Sequence, residues 1–186
     1  FNKSTIYKVT DQNFNIPKEN LISIIIGGSN NHYNFSSKEV NDLIKKINNI
    51  IIANPKFTVL IIFSRRTTKE IKEIMKNKLN NKTIIWNEKK ENPYIFALRY
   101  SNYFIVTSDS TSMISECAFT AKPIYIFHLP FKRISRRINK FHNQFQELNI
   151  TKNLNSVNKL TSWIYKPLDE SKRIASIIKK RIIEED

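Results

Sequence analysis

Strict alternation of β-branched runs with amphipathic segments predicts an α/β domain built on a doubly wound, Rossmann-like parallel sheet with helices on both faces. The runs are apolar at successive positions and not only at every second one, which is the pattern of strands buried on both sides. The chain's two glycines, Gly27 and Gly28, stand side by side at the end of the first run. Average usage would supply about 13 glycines in this length.

The first run, residues 21–26, reads Leu-Ile-Ser-Ile-Ile-Ile and leads into Gly27-Gly28-Ser29. Bare backbone directly after a strand serves either a positive φ or the close approach of a ligand. Ser36 and Glu39 have the spacing of a capping box and open a helix that runs to about Ala53. The second run, 57–63, is followed by Ser64-Arg65-Arg66-Thr67, and Thr67 with Glu70 repeats the cap-and-acid spacing for a helix through Leu79. Residues 83–86 form the third strand, and Asn92-Pro93 starts the third helix because proline fits a first helical turn. Residues 103–107 and 123–127 are the fourth and fifth strands, with a helix over 110–120 between them. Beyond these, 131–148 and 169–183 read as two further helices joined by the polar segment 149–162.

At 186 residues, 40% of them hydrophobic, the chain is sized for one domain over 21–186, with 1–20 read as a linker or the end of a missing N-terminal domain. It shows no signal peptide and no apolar run of about 18 residues, so the expected place is the cytoplasm, peripheral to the inner membrane at most. Cys117 is the single cysteine, which excludes an intrachain disulfide and reads as a small buried residue. His32, His128 and His142 are scattered without ligand spacing, and no metal or cofactor is expected.

The formal charge of +15 suits a polyanionic partner, although lysine, isoleucine and asparagine are enriched together, as an AT-rich genome alone would produce. The cations concentrate in the two C-terminal helices, over 131–140 and 171–181. A solvated helix face is the favoured reading there, over an anionic membrane or acceptor surface. Nucleic acid is disfavoured, because the aromatics fall in apolar segments and are not interleaved with the cations.

In a doubly wound sheet the ligand lies at the carboxyl ends of the strands, where the first and fourth strands part. Two loops meet there. One is Gly27-Gly28-Ser29; the other, Thr107-Ser108-Asp109-Ser110-Thr111-Ser112, supplies hydroxyls and a helix N-terminus suited to phosphate. Asp109 reads as an N-cap or Asx turn. Glu116 shares a helix face with Ser112 and is either a ribose acceptor or a solvated helix glutamate. Arg65 and Arg66 are either a guanidinium fork for a diphosphate or surface cations, whereas Thr67 and Glu70 belong to the helix cap. Trp86, Asn92 and Tyr94 form a rim where a base would stack or where rings pack on the sheet. Neither a P-loop nor a Gly-x-Gly-x-x-Gly fingerprint is present.

The succession Ile26-Gly27-Gly28-Ser29, Ser64-Arg65-Arg66-Thr67, Glu91-Asn92-Pro93-Tyr94, Val106 through Met113 with Ser115-Glu116, and Lys122-Pro123-Ile124-Tyr125-Ile126-Phe127 resembles the elongated-mitochondria family of fission proteins and its bacterial relatives. The resemblance runs through most of residues 21–130. It implies the C-terminal half of a GT-B-like glycosyltransferase fold. In that fold Ser110 to Ser112 would hold the diphosphate of a nucleotide sugar, Glu116 would hold the ribose, and an N-terminal domain would complete the site. This chain has serine and threonine where glycine is common in that turn. Plant members imply an alternative, a non-enzymatic adaptor that recruits a dynamin-related protein to a mitochondrial surface. The enzyme reading needs no metal, since helix N–H groups, hydroxyls and Arg65 or Arg66 would stabilise the leaving diphosphate. It also expects Gly28→Val to abolish nucleotide binding while sparing the fold.

Overall fold

The computed structural model describes residues 14–79, 82–88, 91–167 and 170–184, with backbone alone at 170–173, 183 and 184. Six strands form one parallel sheet in the order β3-β2-β1-β4-β5-β6: β1 Leu21–Ile26, β2 Thr58–Phe63, β3 Thr83–Ile85, β4 Tyr103–Thr107, β5 Ile124–Phe127 and β6 Thr151–Asn153. The helices are α1 Ser37–Ala53, α2 Lys69–Lys78, α3 Tyr94–Tyr100, α4 Thr111–Ala118, α5 Arg136–Glu147 and α6 Glu170–Glu184. This is the doubly wound, Rossmann-like order, in which the chain reverses direction between β1 and β4.

Strand alternation sends Ile22, Ile24 and Ile26 of β1 to one side, where they pack with Val40, Leu43 and Ile47 of α1 and Ile71 and Met75 of α2. Ile25 joins Phe104, Val106 and Ile126 on the other side, against Leu98 of α3, Ile114 and Cys117 of α4 and Phe145 of α5. Leu21 and Ile62 meet Phe96 of α3 on that side as well. Each fully buried isoleucine or leucine contributes about 1.5–3 kcal/mol, so the sheet is held mainly by this two-sided burial. The one polar residue of β1, Ser23, is fully buried and accepts a hydrogen bond from Ser101 Oγ at 2.6 Å, which satisfies both hydroxyls locally.

Several boundaries differ from the sequence expectation, each for a local reason. The polar segment 149–162 contains β6 and a 3-10 turn at Leu154–Ser156. As an edge strand of three residues, β6 has no apolar run of its own, and it is set by the buried Ile150 and Leu154 that flank it. Residues 131–135 do not belong to the helix that follows. Phe131 bridges antiparallel to Tyr33, Lys132 N–H donates to His32 O at 2.8 Å, and α5 begins only after its N-cap Ser135. The cap of α2 is Thr68, whose hydroxyl accepts from Ile71 N–H, so Thr67 is not the capping residue. Pro93 is the N-cap of α3 and not its first helical residue. At the other end of α3, Lys122 Nζ donates to Leu98 O at 3.1 Å and Arg99 O at 2.6 Å, placing a cation on the last carbonyls of the helix. Ser36 and Glu39 do form the expected capping box on α1.

Candidate functional site

β1 turns into α1 on one face of the sheet and β4 turns into α4 on the other, so the two following loops part and leave a crevice at their carboxyl ends. The floor of the crevice is a buried polar knot centred on Asp109. Its carboxylate accepts from Gly28 N–H at 3.1 Å, from Thr107 Oγ1 at 2.7 Å and from Arg66 Nη2 at 2.7 Å. Thr107 Oγ1 also accepts from Gly27 N–H at 2.8 Å. From the α2 side, Thr67 Oγ1 donates to the Ile26 and Gly27 carbonyls at 2.9 and 2.7 Å.

This knot corrects three expectations. Asp109 is neither N-cap nor Asx turn: Ser110 takes the N-cap position, and Asp109 ties the glycine turn to β4 and to Arg66. Neither glycine has a positive φ. What approaches their backbone is the protein itself: a Cβ at Gly27 would lie closer than 3.0 Å to the Asp109 carboxylate, and one at Gly28 closer than 3.0 Å to the Arg66 carbonyl oxygen. Because that obstacle at Gly28 is backbone and cannot rotate away, a valine there is incompatible with this fold. Gly28→Val therefore does not isolate binding from folding.

The remaining residues of the glycine turn are also engaged. Ser29 Oγ accepts from Phe35 N–H at 2.8 Å and donates to Phe35 O at 3.2 Å. Ser108 is fully buried, with its hydroxyl accepting from Leu129 N–H at 2.9 Å and its carbonyl 3.0 Å from His142 Nε2. Gly27, Gly28, Ser29 and Ser108 thus have polar groups bonded within the protein, and none of them lines the two clefts beside α4.

Thr68 and Ser135 cap α2 and α5 through their hydroxyls and α1 carries its capping box, whereas the Ser110 hydroxyl makes no cap bond to α4, just as Pro93 makes none to α3. Ser110 lines the crevice at this end of α4, and the first-turn N–H groups of a helix are donors that an anion can satisfy. On one side of α4 lies a cleft of about 830 Å³ with Ile25, Ile62 and Phe63 at its base. It gathers seven of the residues predicted from sequence: Arg65, Arg66, Trp86, Asn92, Tyr94, Ser110 and Glu116. Thr111 and Ser112 open to a second cleft of about 630 Å³, bounded by Asn30, His32, Arg137 and Phe141. Glu116 lines both.

Within the larger cleft, the Tyr94 hydroxyl donates to Glu116 Oε2. Burial holds the Tyr94 phenol far above the ordinary tyrosine range, with the charge of Glu116 adding to it, so the phenol stays a donor at any physiological pH. Arg66 is fixed by Asp109 through one nitrogen and keeps its other donors, and Arg65 is exposed at the rim. Sequence reasoning missed Thr67 and Asp109 as the organisers of this arrangement, and Asn30, His32 and Arg137 as the second wall. Asp109 carries a signal: it is the one acid in a turn of hydroxyl residues opposite two glycines.

Residues 5–182 match the family model described as Mitochondrial fission ELM1. An uncharacterized protein of Rickettsia prowazekii (strain Madrid E) is 39% identical over 163 residues, covering 84% of this chain and 45% of that protein. The Arabidopsis thaliana mitochondrial fission protein ELM1 is 30% identical over 131 residues, covering 67% of this chain and 30% of its own length. The chain therefore spans less than half the length of these relatives. Among solved structures, the glycotransferase of kitacinnamycin aligns with 81% of this chain and 35% of its own at a TM-score of 0.47 and 12% identity. By the extent of the family match, this chain belongs to the mitochondrial fission ELM1 family.

Proposed function

We propose that the crevice binds a nucleoside-diphosphate sugar, and that the chain supplies the donor side of a glycosyltransferase completed by a further domain. The observation that carries this reading is the uncapped N-terminus of α4 opening onto a cleft that also holds Arg65, Arg66 and Glu116. The first-turn N–H groups and the Ser110, Thr111 and Ser112 hydroxyls would receive the diphosphate, as fixed donors that need no reorganisation when the bond to the sugar breaks. Arg66, held in place by Asp109, would add charge-assisted hydrogen bonds, and Arg65 can join it from the rim. Glu116 would accept both ribose hydroxyls, exchanging its bond from Tyr94 for one from the sugar. Trp86 and Asn92 lie on the same wall, where the base would rest.

Calorimetric titration of the full-length protein with UDP, GDP and their sugars tests this. Binding of one of them, weakened about tenfold in Glu116→Ala, supports the reading; silence across the panel overturns it. A second reading, an adaptor, is favoured by one observation: Ile174, Ile177, Ile178 and Ile182 are 40–59% exposed on α6, an apolar stripe suited to a partner. That reading expects the same titrations to be silent.

A further inference from the structure

A concentrated run of unpaired charge among the described residues is the arm and helix that border the smaller cleft. Between Phe131 and Lys140 the chain carries Lys132, Arg133, Arg136, Arg137 and Lys140, all exposed, and none of them is in an ion pair among the described residues. The buried face of α5 is Ile138, His142 and Phe145, so the cations are not needed for its packing. Arg136 and Arg137 moreover occupy the first turn of α5, which has no acid. Cations there face the positive end of the helix dipole and oppose helix stability. Two arginines held where they disfavour the fold, beside three more unpaired cations, mark a surface shaped by an anionic partner.

Apolar side chains in the same segment narrow the partner. Ile134 is 74% exposed in the middle of the five cations, and Phe131 is 40% exposed beside it. The arm is not loose: the Phe131 ring stacks on Tyr33 at 4.7 Å, and both Lys132 and Arg133 N–H groups donate to His32 O. A nucleic acid would use ring faces between cations, but one face of the only ring here is already covered by Tyr33. An aliphatic side chain displayed among cations fits a lipid surface, where the isoleucine enters the acyl boundary and the cations meet headgroup phosphates.

We propose that residues 131–140 seat the chain on an anionic phospholipid surface, with Ile134 inserted and the five cations on the headgroups. Arg137, Ile138 and Phe141 also line the cleft beside α4, so the seated molecule opens that cleft toward the membrane. If the nucleotide reading also holds, the acceptor belongs to the class of membrane-resident molecules; the lipid contact itself does not depend on it.

The test is vesicle flotation of the full-length protein without nucleotide, on phosphatidylcholine vesicles with and without about 30% phosphatidylglycerol. Binding is expected to the anionic vesicles alone and to fall steeply by about 0.5 M salt, where screening is nearly complete. Since each cation near such a surface is worth roughly fivefold in partition, Arg133→Glu with Arg136→Glu should weaken binding at least about 25-fold. Ile134→Ser should weaken it several-fold with the salt dependence unchanged. Lys179→Glu with Lys180→Glu, exposed cations on α6, should have less effect than the arm pair. Equal binding to neutral vesicles, an arm variant that binds like the wild type, or binding of a short RNA but not vesicles would each overturn the proposal. A chain that floats with vesicles but binds no nucleotide keeps this inference and loses the donor-site reading; the reverse result does the opposite.

Discussion

The two turns that meet at the crevice are built from similar small polar residues, yet one is closed on itself and the other is open. In the glycine turn, the N–H groups of Gly27 and Gly28 and the hydroxyl of Ser29 bond to Thr107, Asp109 and Phe35. In the serine turn, Ser110 leaves the first turn of α4 without a side-chain cap, and Thr111 and Ser112 face a cleft. Residue type therefore does not tell a closed turn from an open one here; what tells them apart is whether the protein already supplies the hydrogen-bond partner.

Gly28→Val is the largest expected break in the comparison. Its Cβ would collide with the Arg66 backbone carbonyl, so relief requires moving the β2–α2 loop, at about 3 kcal/mol or more. Thermal melting followed by circular dichroism should show a much-lowered midpoint or no folded protein. Ser112→Val, at an exposed position of the open turn, should stay within about 0.5 kcal/mol of wild type. If both variants melt alike, the distinction between the turns is lost.

Asp109→Ala should follow, at about 2–4 kcal/mol, because it strands the buried Gly28 N–H and Thr107 hydroxyl and unpairs Arg66. It also clears the space that a Cβ at Gly27 would need. Gly27→Ala should therefore be costly alone and much less costly when added to Asp109→Ala, a non-additivity that a double-mutant cycle in urea would read directly. Additive effects would mean that the carboxylate is not what keeps residue 27 bare.

On the open side, Glu116→Ala should cut nucleotide affinity about tenfold, the loss expected for hydrogen bonds to a charged acceptor. Its melting midpoint should stay close to wild type. Tyr94→Phe sharpens this: it removes the phenol that competes with ribose for Glu116, so affinity should rise about two- to fivefold if both use the same oxygen. Lower affinity would instead make the Tyr94 hydroxyl part of the nucleotide contact.

How much of this could be read from sequence follows the same division. Strands buried on both faces announce themselves because nearly every residue is apolar, and Ser36 with Glu39 announces α1 because the capping box is local. The edge strand β6 is illegible, since its residues pair on one side only and its anchors, Ile150 and Leu154, lie just outside it. The gathering of Arg65, Arg66, Trp86, Tyr94 and Glu116 in one cleft was legible from strand order alone. Asp109 as organiser was not, because its partners lie 81 and 43 residues away and only the closed sheet brings them within reach.

Lys122 offers the finest test of the comparison, because it belongs to one of the motif blocks and yet sits in the closed class. Its ammonium donates to two carbonyls at the end of α3, away from the crevice, and burial pulls its pKa down to about 8 from the ordinary 10.5. Below pH 8 the lysine is charged in both folded and unfolded chains, and the burial penalty is fully present. Between pH 8 and 10.5 the unfolded chain holds a proton that the folded chain has released, so raising the pH relieves that penalty and favours the folded state. The stability of wild type relative to Lys122→Met should accordingly rise by about 1 kcal/mol from pH 8 to pH 9, measured by urea unfolding at each pH. Nucleotide affinity should be unchanged in the same variant, since the lysine acts on the end of α3 opposite to Tyr94. A flat stability difference across that window would show that the ammonium is solvated and free, and would move Lys122 out of the closed class.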